Sequence, residues 1–232
     1  GVLFRQLSEL STDADIDLPP DALHAELLSA MSLATPTMAM VATRTHELRS
    51  ELDAARRRAD SARQNQKRLN AGKAELRPDV IRLMSYFEEE GIPTRPVCDL
   101  VQVTDPAWQG AIEAYLRSHV EALLVPAEHE ERAVKLYRSL HGGRAVYGVK
   151  IALTSQARQS RADMRIGDGH VGALLRGDDD ALAYLRRQLG ELRCIETEAE
   201  VVRAKQGMSR DGLVVKGGGV ERLRLPAASE LK

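Results

Sequence analysis

The spacing of apolar residues changes period once along this chain, and the change divides it. Met38, Val41, Thr45, Leu48, Leu52, Ala55, Ala59, Ala62, Gln66 and Leu69 recur at alternating intervals of three and four, the heptad rhythm of a coiled-coil helix. At 1.5 Å per residue such a seam reaches about 48 Å. Its later half carries three alanines and a glutamine; small knobs bury little area, which suits arms that must open. A coiled-coil helix buries its seam only against a second helix, and no comparable heptad run follows. The partner strand is therefore another chain or a segment outside this sequence. Ahead of the seam, residues 1–35 read as two short amphipathic stretches. The first ends near Leu10; the second spans residues 22–33, capped by Asp21, with Leu23, Leu27, Ala30 and Met31 on one side. Thr35 reads as a cap and Pro36 as a first-turn proline opening the heptad helix, which Gly72 and Pro78 close.

Past Pro78 the pattern becomes strands alternating with helices. Residues 79–90 read as a helix stopped by Gly91 and Pro93. Strands are expected at 97–103, 120–125 and 144–149, with helices at 105–117 and 126–140 between them. A Ser-, Arg- and Gln-rich loop, 154–169, leads to a helix at 178–189, a strand at 192–195 and a helix at 197–204. Strands around Gly207-Met208-Ser209 and Leu213-Val214-Val215 follow. Gly217-Gly218-Gly219 then precedes a last apolar stretch, 220–225. The expected organisation is short helices at 1–35, a coiled-coil helix at 36–77, a connector at 78–96, and two small α/β (α+β) subdomains at 97–160 and 161–232.

At 232 residues, 43% hydrophobic but only 3% aromatic, the chain suits Ala/Leu/Val helices and short aliphatic strands. A net charge of −1 hides local asymmetry: nine Arg or Lys against four Asp or Glu from Arg44 to Lys73. Arg144, Lys150, Arg158, Arg161 and Arg165 face Asp163 alone between His141 and Ile166. Such a patch attracts phosphates, or is a solvated surface. With few aromatics around it, these five cations are the candidates for DNA contact through the backbone, without sequence reading. Cys98 and Cys194 sit beside aliphatic residues and read as buried thiols. No apolar run approaches about 18 residues, so neither a signal peptide nor a membrane span is expected. The start without Met suggests a piece of something longer, in the cytoplasm.

Catalytic chemistry is hard to find. No Gly-x-x-x-x-Gly-Lys-Ser/Thr occurs, and neither Gly167-Asp168-Gly169 nor Gly217-Gly218-Gly219 has the strand–glycine–helix context of a phosphate site. The six histidines are scattered, and no nucleophile stands in a recognised elbow. Asp178-Asp179-Asp180 reads as a helix start rather than a metal site. Trp108 reads as a packing anchor. No catalytic residue, metal or cofactor is expected in this chain.

The run Val97-Cys98-Asp99-Leu100-Val101-Gln102-Val103, continuing through Trp108-Gln109-Gly110-Ala111-Ile112-Glu113-Ala114-Tyr115-Leu116, resembles the opening of SMC hinge domains. Leu123-Leu124-Val125 and Gly143-Arg144-Ala145 match the next elements. Ser209-Arg210-Asp211-Gly212-Leu213 with Lys216-Gly217-Gly218 looks like the closing glycine motif. The match spans residues 95–225, in order. The Asp105-Pro106-Ala107-Trp108-Gln109 form looks more like the condensin-like MukB, MksB and JetC branch. One departure is Arg222-Leu223, where the pattern carries a second glycine pair. The resemblance implies a hinge with an antiparallel coiled-coil arm, of which mainly one strand is present here. It implies homodimerisation through edge strands bared by Gly212, Gly217, Gly218 and Gly219, although those glycines could equally make a turn. For the whole protein it implies ATPase heads, kleisin-type partners, nucleoid-associated DNA organisation or loop extrusion, or Wadjet-like plasmid defence, and no membrane. Two other readings stay open: a small α/β nucleotide-binding or enzymatic domain with a helical oligomerisation arm, and an adaptor dimerised by its coiled coil.

Overall fold

The computed structural model describes residues 20–161 and 166–232, and the chain divides into two units, residues 1–57 and 58–232. Helix α1, Pro20–Asn70, contains every position of the heptad seam. The expected break before Pro36 is absent, and Pro36 lies inside the helix. Thr35 is no cap: its hydroxyl donates to the Met31 carbonyl at 2.7 Å, the mid-helix pattern for threonine. A proline then removes one rung of the ladder without ending it. The stretch expected to end near Leu10 lies outside the described residues. The seam is bare, with Met38, Val41, Leu48, Leu52 and Leu69 each 48–71% exposed. Between His24 and Asn70 the helix also holds an 18-residue window of mean hydropathy 1.2. By length and composition alone that window could cross a bilayer, so the expectation that no apolar run approaches this length is corrected. Ala, Met, Ser and Thr supply most of the window, which makes it a weak membrane signal beside a Leu- or Ile-rich one.

In the second unit, the last turns of α1 are held by a polar face distinct from the seam. Asn65, 7% exposed, accepts from the Leu76 amide at 3.0 Å and donates to the Leu76 carbonyl at 2.9 Å. Gln64 donates to Ser85 at 3.0 Å. Arg68 forms a two-pronged pair with Asp99 at 2.7 and 3.1 Å, and Lys73 adds a contact at 3.2 Å. Helix α2, Pro78–Glu89, begins with proline at a position whose N–H has no helical partner. It buries Val80, Ile81, Leu83 and Phe87.

Of the strand expected at 97–103, only residues 101–103 are strand. Strand β1, Arg95–Pro96, and strand β2, Val101–Val103, are separated by a 3₁₀ turn, Val97–Asp99. The turn lets Val97 enter the core while the Asp99 carboxylate reaches Arg68 and Lys73. Helix α3, Pro106–Leu116, follows its cap Asp105, which accepts from the Ala107 amide at 3.0 Å. Then come β3, Leu123–Val125, helix α4, Glu130–Ser139, and β4, Ile151–Leu153. The strand expected at 144–149 is instead an irregular loop. Residues 154–161, expected within a loop, form helix α5, Thr154–Arg161; the Thr154 hydroxyl donates to the Val125 carbonyl at 2.7 Å and fixes its start.

The remaining elements are β5, Leu175–Gly177; α6, Asp179–Leu189; β6, Arg193–Cys194; α7, Glu198–Arg203; β7, Gln206–Met208; β8, Leu213–Lys216; and β9, Gly219–Arg222. One sheet has the order β1-β3-β4, with β3 and β4 parallel. A ribbon pairs β2 with β5 antiparallel. A second sheet runs β6-β7-β8-β9, parallel only between β6 and β7. One core gathers Leu76, Val80, Leu83, Phe87 and Ile92 against Leu123 and Val125. A larger one joins Trp108, Ile112 and Leu116 to Leu182, Leu185, Leu189 and Met208. Packing and the β2–β5 ribbon thus both cross the expected subdomain division near residue 160. Trp108 is 4% exposed, an anchor as expected. Asp178 caps α6 by accepting from the Asp180 and Ala181 amides, the structural role read for the acidic triplet.

The final segment returns to the first. Lys232 donates from its backbone N–H to Glu113 at 2.9 Å, and its carbonyl accepts from Gln109 at 3.0 Å. Its ammonium pairs with Glu121 at 3.3 Å and donates to the Glu75 carbonyl. Glu121, 5% exposed, also accepts from the Arg77 guanidinium and the Arg77 amide. A buried carboxylate with this many donors is satisfied. Asp99→Ala, which leaves the 12%-exposed Arg68 side chain without its partner, is expected to cost about 3 kcal/mol in urea denaturation.

Candidate dimer edge and basic surface

β8 is an inner strand, carrying Val214 and Val215 at 5% exposure, because it has a neighbour on each side and a core beneath. β9 pairs with β8 from Leu213↔Arg222 to Lys216↔Gly219 and, among the described residues, has no strand on its other edge. All four of its residues are exposed, Val220 by 58%. An edge of this kind presents a row of backbone donors and acceptors to whatever pairs with it.

The four glycines predicted at this edge have different duties. Gly217 and Gly218 form the two-residue turn of the β8–β9 hairpin with φ of +59° and +80°. That combination of positive φ values is the one whose twist matches flanking strands. The turn itself therefore favours glycine at both positions, the open alternative reading of these residues. A Cβ at either position would meet nothing within 4 Å, so the space around the turn tip is free. Gly219 opens β9. Gly212 is separate: it sits at φ +86°, and a Cβ there would lie 2.8 Å from the Leu225 side chain and 3.1 Å from the Leu223 carbonyl. Its lack of a side chain serves a close approach within one chain, sealed by the Leu223 amide donating to the Gly212 carbonyl at 2.8 Å.

The five basic candidates divide as well. Arg144 is exposed, its guanidinium 4.7 Å from the Tyr86 ring centroid and 3.9 Å from Glu89. Lys150 is half-buried, its carbonyl accepting from Leu123 at 2.9 Å. Arg158 is engaged in two bonds to Asp180, at 2.9 and 3.0 Å. Arg165 and the side chain of Arg161 lie outside the described residues. Arg144 and Lys150 share one loop, 140–150; Arg158 lies on α5. The loop also carries Tyr147, 78% exposed, at a position expected to be strand. Its signal was available: a lone aromatic between two valines and next to a glycine, in a segment with two flanking cations.

Thiol chemistry is suppressed. Burial, reinforced by the neighbouring Asp99 charge, pushes the Cys98 thiol up to about 12, and burial also raises Cys194. Both cysteines are free and half-buried. Among the described residues no group of three or more His, Cys, Asp or Glu could hold a metal ion.

Among solved structures, the chain is similar to an SMC hinge domain from Geobacillus stearothermophilus, described as an asymmetric dimer. The two are 16% identical over 88% of this chain and 85% of that one, with a TM-score of 0.48. A Pyrococcus furiosus Smc hinge domain with an extended coiled coil gives 16% identity over 85% of this chain and 77% of that one, also at 0.48. A second hinge-domain structure from Pyrococcus furiosus gives 15% identity over 65% and 92%, at 0.46. No family model matches the chain, and no curated protein matches it.

Gly218→Ala is expected to lower stability by about 1 kcal/mol through its positive φ, with Gly218→Asn recovering most of the loss. Gly212→Ala adds a steric clash to the same strain and should cost more in the same urea titration.

Proposed function

We propose that this chain is the homodimerisation hinge of an SMC protein, together with one strand of its coiled-coil arm. The observation that carries the reading is the exposed β9 edge beside an open glycine turn. A second copy can extend that sheet by main-chain pairing, and a two-fold contact of this kind closes on itself. The order of hinge-like segments from residue 95 to residue 225 supports the family reading, and the heptad helix leading into them supports an arm. Asp105-Pro106-Ala107-Trp108-Gln109 supports the finer placement in the condensin-like MukB, MksB and JetC branch. The work of the whole protein is then chromosome organisation, loop extrusion or plasmid defence, with ATPase heads and kleisin-type subunits supplied by other segments and chains. Within it, this piece holds two arms together and performs no chemical step.

Non-specific DNA contact belongs to the same proposal. Arg144 and Lys150 are its carriers; Arg158 contributes only after releasing Asp180.

Light scattering on the whole chain distinguishes the hinge from an adaptor dimerised by its coiled coil. Val220→Lys places a charge on the β9 edge and is expected to halve the mass while leaving the circular dichroism spectrum intact. If Leu48→Glu with Leu52→Glu halves the mass instead, the adaptor reading replaces the hinge. For DNA, Arg144→Glu with Lys150→Glu should weaken retention most at low salt, where unscreened phosphate attraction is greatest. An unaltered gel shift removes DNA from this surface.

A further inference from the structure

The four-stranded sheet has two edges, and β6 forms the one opposite β9. Residues 169–171 meet its outer side: the Cys194 amide donates to the Gly169 carbonyl and the Val171 amide to the Leu192 carbonyl, each at 2.8 Å. Helix α7 lies against the same end, where Val201 packs with Ile195 and Val215 in a small core of their own. Between these pieces the surface opens into a cleft of about 750 Å³, an ordinary size for a small organic ligand. Part of its lining is apolar, with Ile195 4% exposed and Ala204 half-buried.

The charges on this cleft are unbalanced. Arg193, Arg203 and Lys205 all line it, and among the described residues none of the three has an ion-pair partner. Neighbouring cations are engaged: Arg210 pairs with Glu196, and Arg158 with Asp180 at 2.9 Å. Of the two carboxylates on the lining, Glu200 already accepts from the Glu196 amide at 2.7 Å and the Thr197 amide at 3.0 Å, closing the cap of α7. Glu191 keeps its oxygens for an occupant. His170 donates from Nδ1 to the Gly167 carbonyl at 2.9 Å, which in the neutral ring leaves Nε2 as an acceptor.

Two guanidinium forks and an ammonium suit a phosphate monoester, whose oxygens accept in pairs. The Glu191 carboxylate and the His170 imidazole suit hydroxyl and amino donors on the rest of the same molecule. We propose that this cleft binds a small phosphate monoester of the nucleoside monophosphate class, whose base fills the apolar part of the lining. The site is at the edge of the sheet away from β9, so its occupant and a second copy paired with β9 use different surfaces. The inference stands apart from both the dimer reading and the DNA reading.

Isothermal titration of the whole chain with AMP tests it. Ribose 5-phosphate should bind more weakly than AMP, and inorganic phosphate more weakly still. Arg203→Ala with Lys205→Ala should weaken AMP roughly tenfold for each charged hydrogen bond lost. Thermal melts should match the parent, because both side chains are exposed. Should that variant melt early, Lys205→Glu alone, outside any helix, carries the same expectation. Arg144→Glu with Lys150→Glu should leave AMP affinity unchanged, so a failure of the DNA reading is seen separately from a failure here. Absence of binding at millimolar AMP overturns the site, as does equal AMP affinity for parent and cleft variants. Inorganic phosphate binding as tightly as AMP overturns it too, reducing the cleft to exposed charge. Displacement of AMP by a thymidine oligonucleotide also overturns it, assigning these cations to a nucleic-acid surface.

Discussion

Asp99 is the point through which the parts of the second unit are fastened together. Its carboxylate, 7% exposed, receives the Arg68 guanidinium and the Lys73 ammonium. Its backbone lies in the 3₁₀ turn where the chain leaves the first sheet for the β2–β5 ribbon. One residue thus sets the end of α1, the exit from β1 and the entry to β2. A buried carboxylate without those cations would not tolerate the site, and the cations without it would be left unpaired near the core. Both requirements fix the local backbone more tightly than apolar packing alone, because the two-pronged guanidinium contact accepts little change of angle.

Much of this organisation was legible in the residues. The heptad spacing marked a helix, and every seam position is helical. Asp105, Asp178 and Thr197 marked three helix starts, and each side chain accepts from an amide in the first turn, because local capping depends on neighbours only a few residues away. Trp108 was read as an anchor and is one. These features share a property: their physics is short-range.

What was not legible depended on distant partners. Residues 97–103 alternate like a strand, yet Asp99 is drawn toward Arg68 and Lys73, earlier in the chain, and the strand breaks there. Residues 144–149 carry strand-forming valines, but carbonyl bonds from Arg77, Arg82 and Tyr137 hold them as a loop. Residues 154–161 lack an apolar stripe beyond Ala157, 2% exposed; a helix forms there because Thr154 is bonded to β3 and Arg158 to Asp180 on α6. The glycines show the same limit in another form. Sequence marks all four as special, but only coordinates separate Gly212, which yields to Leu225, from Gly217 and Gly218, which shape a hairpin.

The meeting of Lys232 with Glu75, residues 157 positions apart in sequence, has a mechanical consequence. The loop that follows α1 and the closing segment are bonded to each other directly, and Arg77 from that loop and Lys232 both pair with the buried carboxylate of Glu121. A pull applied to that loop is resisted first by these contacts acting side by side, so tension crosses a short bridge before it reaches the sheets. The strand edges are thereby spared the load, and their hydrogen bonds can remain in register.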